Sequence, residues 1–263
     1  MTAMYKILPG VLIIFALSGL DAAKGKSSQT CRDTRNLLSN AEASPLNKEF
    51  IALFQTGDKC ITDLVRALND EDGEIRRKAQ VVIRYLNNPE GVKALHEIYS
   101  KQKEITFSGP IPVPLTDWDY QFIKWLFIEH RQDDWGVLEF NYISALILDG
   151  SSRAKALLEE IEKARGFDPT TVIYFAKDVK QSLSLFPGET DLAKLVLNNS
   201  FFVTPEDRRY TTARLVALNG AKDKALVEVY INRGVLAEEW WHVVISKQSD
   251  GWRFTSFYQV AVS

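Results

Sequence analysis

The sequence predicts an α+β protein in which a helical region is followed by a small four-stranded antiparallel sheet domain. From Asn47 to about Gln181, apolar residues recur every three to four positions, which is the period of an amphipathic helix. After Pro205 the period changes to two, and short turns separate the apolar stretches, as in a run of antiparallel strands. We therefore assign residues 26–185 to a helical domain and residues 186–263 to a sheet domain.

The N-terminal residues 1–25 have the pattern of a secretory signal peptide. Lys6 precedes an apolar run, Ile7 to Leu20, and small residues including Ala22 and Ala23 follow. The alternative is a membrane anchor, but the run spans 14 residues, whereas a spanning helix needs roughly 20. The sequence predicts a secreted or periplasmic protein without a stable membrane anchor after cleavage.

The two cysteines, Cys31 and Cys60, both remain after that cleavage. In an oxidising compartment an even pair most simply forms one disulfide. A loop of this length stabilises the fold by about 3 kcal/mol in the chain-entropy model. A redox-active pair is the alternative, and it is not favoured because the sequence lacks a Cys-x-x-Cys spacing.

Composition and motifs argue against several classes of function. The formal net charge of −2, mixed in sign along the chain, does not favour a nucleic-acid or anionic-membrane partner. The sequence contains no Gly-x-Ser-x-Gly elbow, no His-Glu-x-x-His and no phosphate loop, so we predict no catalytic residue, metal or cofactor. The nearest approach to a metal-binding cluster is Glu129, His130, Asp133 and Asp134, which is a poor ligand set and more typical of an exposed helix end.

Three short helices are predicted in succession over residues 58–68, 75–86 and 89–99, separated by polar turns. This order resembles a HEAT-type helical repeat, and the residues that carry the resemblance are Asp72, Ile75, Arg76, Ala79, Leu86, Pro89, Val92, Ala94 and Leu95. A second segment, 143–161, echoes residues 81–99. The resemblance implies stacked helix pairs that present a surface to protein partners. An ordinary helix bundle is the alternative.

A proline-rich segment interrupts the helical region at Pro110, Pro112 and Pro114. It is interpreted as a rigid crossover between helices, with a recognition segment for another protein as the alternative. A helix then begins at Thr116 or Asp117 and runs to about residue 131. This helix is apolar nearly all round, so we expect it to be buried.

Four strands are predicted over residues 210–218, 224–232, 239–247 and 252–262, forming a meander. Strict alternation assigns the side chains of each strand to one of two faces. On the last strand it places four residues together: Trp252, Phe254, Tyr258 and Val260. On the third strand it separates Trp241, Val243 and Ile245 from Trp240, His242 and Val244.

The C-terminal hairpin resembles that of the nuclear-transport-factor-two-like cone fold, and the carrying residues are Trp241, Val243, Val244, Ile245, Asp250, Gly251, Trp252, Arg253 and Phe254. The resemblance implies helices packed on a curved sheet around a pocket, and some members of the fold perform acid–base chemistry there. The ligand-binding candidates are Trp240, His242, Trp252 and Tyr258, with Glu228 and Tyr230 as further acid–base candidates. Each also has a structural explanation, as a sheet-face aromatic, a satisfied histidine or a solvent-facing charge.

Two functions follow from these patterns. The first is an exported, non-enzymatic binding or scaffold protein for an unknown protein partner. The alternative is a small-ligand or acid–base pocket in the sheet domain. A pocket needs a concave cavity lined by the aromatic residues of 240–258 on an open sheet face, whereas a scaffold needs an exposed apolar or charged groove along the helices of 61–101. Packing of that face by Leu192, Leu195 and Val196 removes the basis for the pocket.

Overall fold

The computed structural model describes residues 31, 33–43, 46–99, 110–111, 113–129, 137–166, 191–199, 203, 206–234, 237–249 and 251–262. Several sequence predictions lie outside these residues: the signal peptide over 1–25, the domain boundary at 185, and the positions of Pro112, His130, Asp133 and Asp134.

Nine α-helices precede the sheet within the described residues. They are α1 (Thr34–Asn40), α2 (Lys48–Thr56), α3 (Ile61–Ala67), α4 (Gly73–Leu86), α5 (Pro89–Tyr99), α6 (Asp117–Lys124), α7 (Val137–Asp149), α8 (Ser152–Arg165) and α9 (Leu192–Asn199). The three successive helices predicted from periodicity correspond to α3, α4 and α5. The two segments that echo each other, 81–99 and 143–161, each contain the end of one helix and most of the next.

Local side-chain chemistry explains where several helices begin and end. Asn47 accepts a hydrogen bond from the backbone N–H of Phe50 at the start of α2, and Asp72 caps α4 in the same way. Asn87 ends α4 in the left-handed conformation, with φ of 45°. Thr116 begins α6 with a capping box, in which Thr116 and Asp119 bond reciprocally to each other's backbone.

Helix α6 differs from the sequence prediction of burial on all sides. It continues as one π-helical turn over Trp125–Glu129, and Trp125 is 41% exposed. Ile123 and Phe127 are fully buried, whereas Gln121 faces solvent. The helix therefore buries one stripe of side chains, and the aromatic residues beside that stripe are only partly covered.

The sheet confirms the predicted antiparallel meander and the α+β class. Its strands are β1 (Thr211–Leu218), β2 (Lys224–Asn232), β3 (Glu238–Gln248) and β4 (Gly251–Val262), in spatial order β1-β2-β3-β4. A 3₁₀ turn, Asp207–Tyr210, precedes β1.

Helices cover both faces of this sheet. One face, here called the α6–α9 face, carries Ala225, Val227, Val229, Ile231, Trp241, Val243, Ile245, Trp252 and Phe254 in one core with residues of α6 to α9. The opposite face, here called the α1–α5 face, carries Leu226 and Val244 in a second core with residues of α1 to α5. The sheet therefore separates two apolar cores and contributes to both.

Helix α9 packs on the α6–α9 face, and its buried residues are those that the sequence analysis considered as a cover for the sheet. Leu192, Leu195 and Val196 of α9 are buried in the same core as Trp241 and Val243. Helix α9 contacts β1 and β2, and α7 contacts β4. Protein side chains thus occupy the space above these strands.

The predicted disulfide between Cys31 and Cys60 is present, with Cα atoms 5.3 Å apart. It joins the residue shortly before α1 to the residue that immediately precedes α3. None of the described helices combines the length and hydropathy needed to cross a membrane. The disulfide is compatible with an extracellular or periplasmic location.

Candidate functional site

The four predicted ligand-binding residues lie on two different faces of the sheet. Trp240, His242 and Tyr258 lie on the α1–α5 face, whereas Trp252 is buried in the core of the α6–α9 face. Trp240 is half-buried and packs against the ring of Tyr230, with centroids 4.8 Å apart. The structure therefore brings His242 and Tyr258 together and keeps Trp252 away from them.

A β-bulge in β4 causes this separation and corrects the predicted face assignment. Val244 pairs with Ser256 and the next residue, Ile245, pairs with Phe254, so Thr255 is the extra residue, with no opposite residue in the β3–β4 register. One extra residue reverses the alternation of side chains. The prediction that Trp252, Phe254, Tyr258 and Val260 share one face is therefore wrong.

A row of four polar side chains, one from each strand, crosses the α1–α5 face at positions that lie directly opposite one another in the strand register. Arg214 on β1 donates to Glu228 on β2 across 2.9 Å, and Glu228 is paired with His242 on β3. The Nε2 atom of His242 lies 3.9 Å from Oε2 of Glu228. On its other side, His242 is paired with Tyr258 on β4. Alternation along single strands left open whether Glu228 and His242 share a face, and the register places them together.

His242 also connects the sheet to helix α4. Its Nδ1 lies 2.7 Å from the hydroxyl oxygen of Tyr85, a residue that is fully buried. Burial lowers the pKa of His242 to about 4 and raises the pKa of Tyr85 well above its ordinary value. At neutral pH the imidazole is therefore neutral, and its Nδ1 accepts a hydrogen bond from the Tyr85 hydroxyl when Nε2 carries the ring proton.

This buried pair is suited to holding the fold together rather than to catalysis. His242 is only 3% exposed, and the cavities described below are not lined by it. A general acid or base must lie within hydrogen-bond distance of its substrate. Tyr258, the neighbour of His242 in the row, does line a cleft.

The cleft beside Tyr258, here called the Tyr258 cleft, has a volume of about 390 Å³. It lies on the α1–α5 face, between β4, the first half of α4 and the chain that follows α1. Its lining residues are Ala41, Glu42, Ala43, Phe50, Glu74, Arg77, Lys78, Val81, Val82, Tyr258 and Val260.

A larger groove of about 950 Å³, here called the α5 groove, runs beside helix α5. One wall is a single face of that helix, and the other wall is the end of the sheet where β2 begins and β3 ends. Its lining residues are Asn87, Pro89, Val92, Lys93, His96, Glu97, Val113, Pro114, Thr116, Asp117, Trp118, Asp223, Lys224, Ser246, Lys247, Gln248 and Thr255.

A cluster of three polar side chains includes His96 and Thr116, which line the α5 groove, and Asp119, which does not. The hydroxyl of Thr116 lies 2.6 Å from Nδ1 of His96 and donates to Oδ2 of Asp119 across 2.7 Å. Burial raises the pKa of Asp119, against the lowering effect of its bonds from Thr116 and of the charges of His96 and Arg84. Thr116 and Asp119 cap the start of helix α6, and the contact with Thr116 fixes the position of His96. The capping of the helix therefore explains why these three side chains lie together.

The charges along the α5 groove are unevenly compensated. Within the described residues, the side chains of Lys93 and Lys247 have no hydrogen-bond or ion-pair partner. Each carboxylate in the groove takes part in an interaction. Asp117 pairs with Arg153, Asp223 accepts from the amide of Asn219, and Glu97 interacts with another group of the chain.

Lys224, the third lysine in this groove, belongs to the fold. Its ammonium group lies 3.0 Å from Asp58 and donates to the carbonyl oxygen of Leu86 at 2.6 Å. Hydrogen bonds from Asn88 and Asn219, together with Lys224, lower the pKa of Asp58 despite its partial burial. The available positive charge of the groove is thus that of Lys93 and Lys247.

From the sequence, a binding protein requires a groove along the helices of 61–101, but neither the lining of the α5 groove nor the Tyr258 cleft was predicted. The groove combines residues from 87–97, 113–118, 223–224 and 246–255, and no local motif links these segments. One signal was available, because Pro89, Val92, Lys93 and His96 share a helical face. In the described part of the chain, no group of three or more His, Cys, Asp or Glu could hold a metal ion.

Comparison of the chain with models of protein families, with curated protein sequences and with solved structures gives no match.

Proposed function

We propose that this chain is an exported, non-enzymatic binding protein that holds an extended, acidic segment of a partner protein in the α5 groove. One observation carries the proposal. An open groove of about 950 Å³ has a partly apolar lining, and Lys93 of α5 and Lys247 of β3 line it without a partner among the residues that the structure describes.

The shape of the groove favours a peptide over a small molecule. Sites for small molecules cover most of the ligand surface, whereas an open groove covers one side of a chain lying in it. From Pro89 to Glu97, helix α5 rises about 12 Å. That length matches about four residues of extended chain.

The floor of the groove supplies an anchor for an apolar side chain. Val92, Val113 and Trp118 are partly buried there, and Pro114 is exposed beside them. Trp118 is held in place by stacking on Phe122, with ring centroids 5.2 Å apart. A fixed aromatic ring in a partly apolar groove is the kind of feature that contributes most to binding energy in protein interfaces.

The charges determine which peptide fits. Because Asp117 is already paired with Arg153, whereas Lys93 and Lys247 have no partner within the described residues, a peptide carboxylate gains new ion pairs in the groove. The peptide class is therefore an apolar side chain flanked by acidic residues. The HEAT-like sequence pattern of residues 58–101 supports the same class of function, because helical arrays of that type usually bind proteins.

A selection from a random displayed peptide library on the purified chain tests this proposal. We expect enrichment of peptides in which Asp or Glu flanks an apolar residue, and binding is then measured by fluorescence anisotropy. Trp118→Ala should weaken the selected peptides by about ten-fold or more. Lys93→Glu combined with Lys247→Glu should favour basic peptides over acidic ones.

Lys155→Glu is the matched control, because Lys155 is an exposed lysine on α8, away from the groove. It should leave peptide affinity unchanged. Failure to enrich any peptide, or enriched peptides that bind Trp118→Ala as tightly as the unmodified chain, would overturn the assignment of the groove.

A further inference from the structure

The Tyr258 cleft differs from the α5 groove in size, composition and position, and it suits a different class of ligand. Its apolar lining comes from the helical side, with Phe50, Val81 and Val82, and from β4, with Tyr258 and Val260. A volume of about 390 Å³ lies at the small end of the range for small-molecule sites.

The hydroxyl of Tyr258 is the uncharged polar side-chain group that lines this cleft. Within the described residues its hydroxyl has no hydrogen-bond partner. The neighbouring Tyr85, whose ring packs edge-on at a centroid distance of 6.5 Å, uses its own hydroxyl for His242. A partly covered phenol usually finds a partner, so an acceptor atom of a ligand would complete the hydrogen bonding of Tyr258.

The rim of the cleft is balanced in charge. Arg77 donates two hydrogen bonds to Glu74, at 2.9 and 2.5 Å, and the ammonium group of Lys78 donates to the backbone carbonyl oxygen of Ser39 at 2.8 Å. Glu42 supplies a second carboxylate. Two cations and two anions give no net preference for a charged ligand, and the two cations are already bonded within the chain.

We infer that the Tyr258 cleft binds a small, uncharged, mainly apolar molecule that bears a carbonyl or ether oxygen, which accepts a hydrogen bond from Tyr258. The inference does not depend on the α5 groove, since the two sites share no lining residue. It gives the sheet a small-ligand site on the α1–α5 face, formed together with α2 and α4.

Three probes of similar size test this inference. Acetophenone is neutral and has an acceptor oxygen, ethylbenzene lacks the oxygen, and benzoate is charged. Binding is followed through the methyl NMR signals of Val81, Val82 and Val260 in the valine-labelled full chain. We expect saturable shifts of these signals with acetophenone, and an affinity about five-fold or more above that of the other two probes.

Tyr258→Phe separates the role of the hydroxyl from that of the ring. It should lower the affinity for acetophenone to that for ethylbenzene and leave ethylbenzene unchanged. Tyr230→Phe is the control, because Tyr230 lies on the same sheet face but donates to Glu238 at 2.6 Å and does not line the cleft. The inference fails if no probe shifts the three valines, if benzoate binds most tightly, or if Tyr258→Phe binds acetophenone as the unmodified chain does.

Discussion

Residues 186–263, expressed alone, are expected not to fold. In the full chain helices pack on both faces of the sheet, α1 to α5 on one face and α6 to α9 on the other. Of the described α-helices, the isolated segment retains only α9, which contacts β1 and β2. It would expose apolar side chains on both faces, such as Trp241 and Leu226, each of which contributes about 2 kcal/mol when buried.

The measurement is a proton–nitrogen NMR spectrum of the isolated segment, with peak dispersion as the criterion of folding. As a control, the full chain is given a protease site at residue 185 and then cut after folding. The two pieces should remain associated and keep the native spectrum, because the contacts between helices and sheet are still present. A dispersed spectrum from the isolated segment would instead support an independent sheet domain.

Acidification from pH 7 to pH 4 is expected to lower the free energy of unfolding by about 3 kcal/mol through His242 alone. The ordinary pKa of histidine is 6.5, and burial lowers that of His242 to about 4. Between these values the unfolded chain binds a proton that the folded chain excludes. The stability is therefore complete above pH 6.5 and is lost progressively as the pH falls to 4.

Chemical denaturation of the unmodified chain and of His242→Gln at a series of pH values measures this effect. The difference in unfolding free energy between the two should decrease by about 3 kcal/mol over this range. Asp58 and Asp70, whose pKa values are lowered, and Asp119, whose pKa is raised, also affect stability in acid, but they are present in both chains.

His96→Gln, which replaces the other histidine of the described residues, should retain the step assigned to His242. A difference between His242→Gln and the unmodified chain that stays constant from pH 7 to pH 4 would show that His242 does not lose its proton on folding.

Much of the secondary structure was predictable because its causes are local. The period of apolar residues locates α3 to α5 and all four strands to within a few residues. Polar caps such as Asp72 and Thr116 mark the helix starts. The pairing of Cys31 with Cys60 follows from there being only two cysteines.

The sites were less predictable because they depend on contacts between residues distant in the sequence. His242 meets Tyr85 across 157 positions, and no pattern around either residue indicates the other. The same holds for the α5 groove, where Lys93 of a helix and Lys247 of a strand face a common space.

The sequence by itself determined the α+β class and the meander, because backbone propensity and apolar periodicity act over short stretches of chain. It also determined the disulfide, because two cysteines allow only one pairing within the chain. Only the tertiary structure decided which side chains share a face or a cavity. The bulge at Thr255 places Trp252 and Tyr258 on opposite faces, and the strand register places Glu228 beside His242. The physical reason is that bulges, register and packing depend on the free energy of the whole core, to which helices on both sides of the sheet contribute.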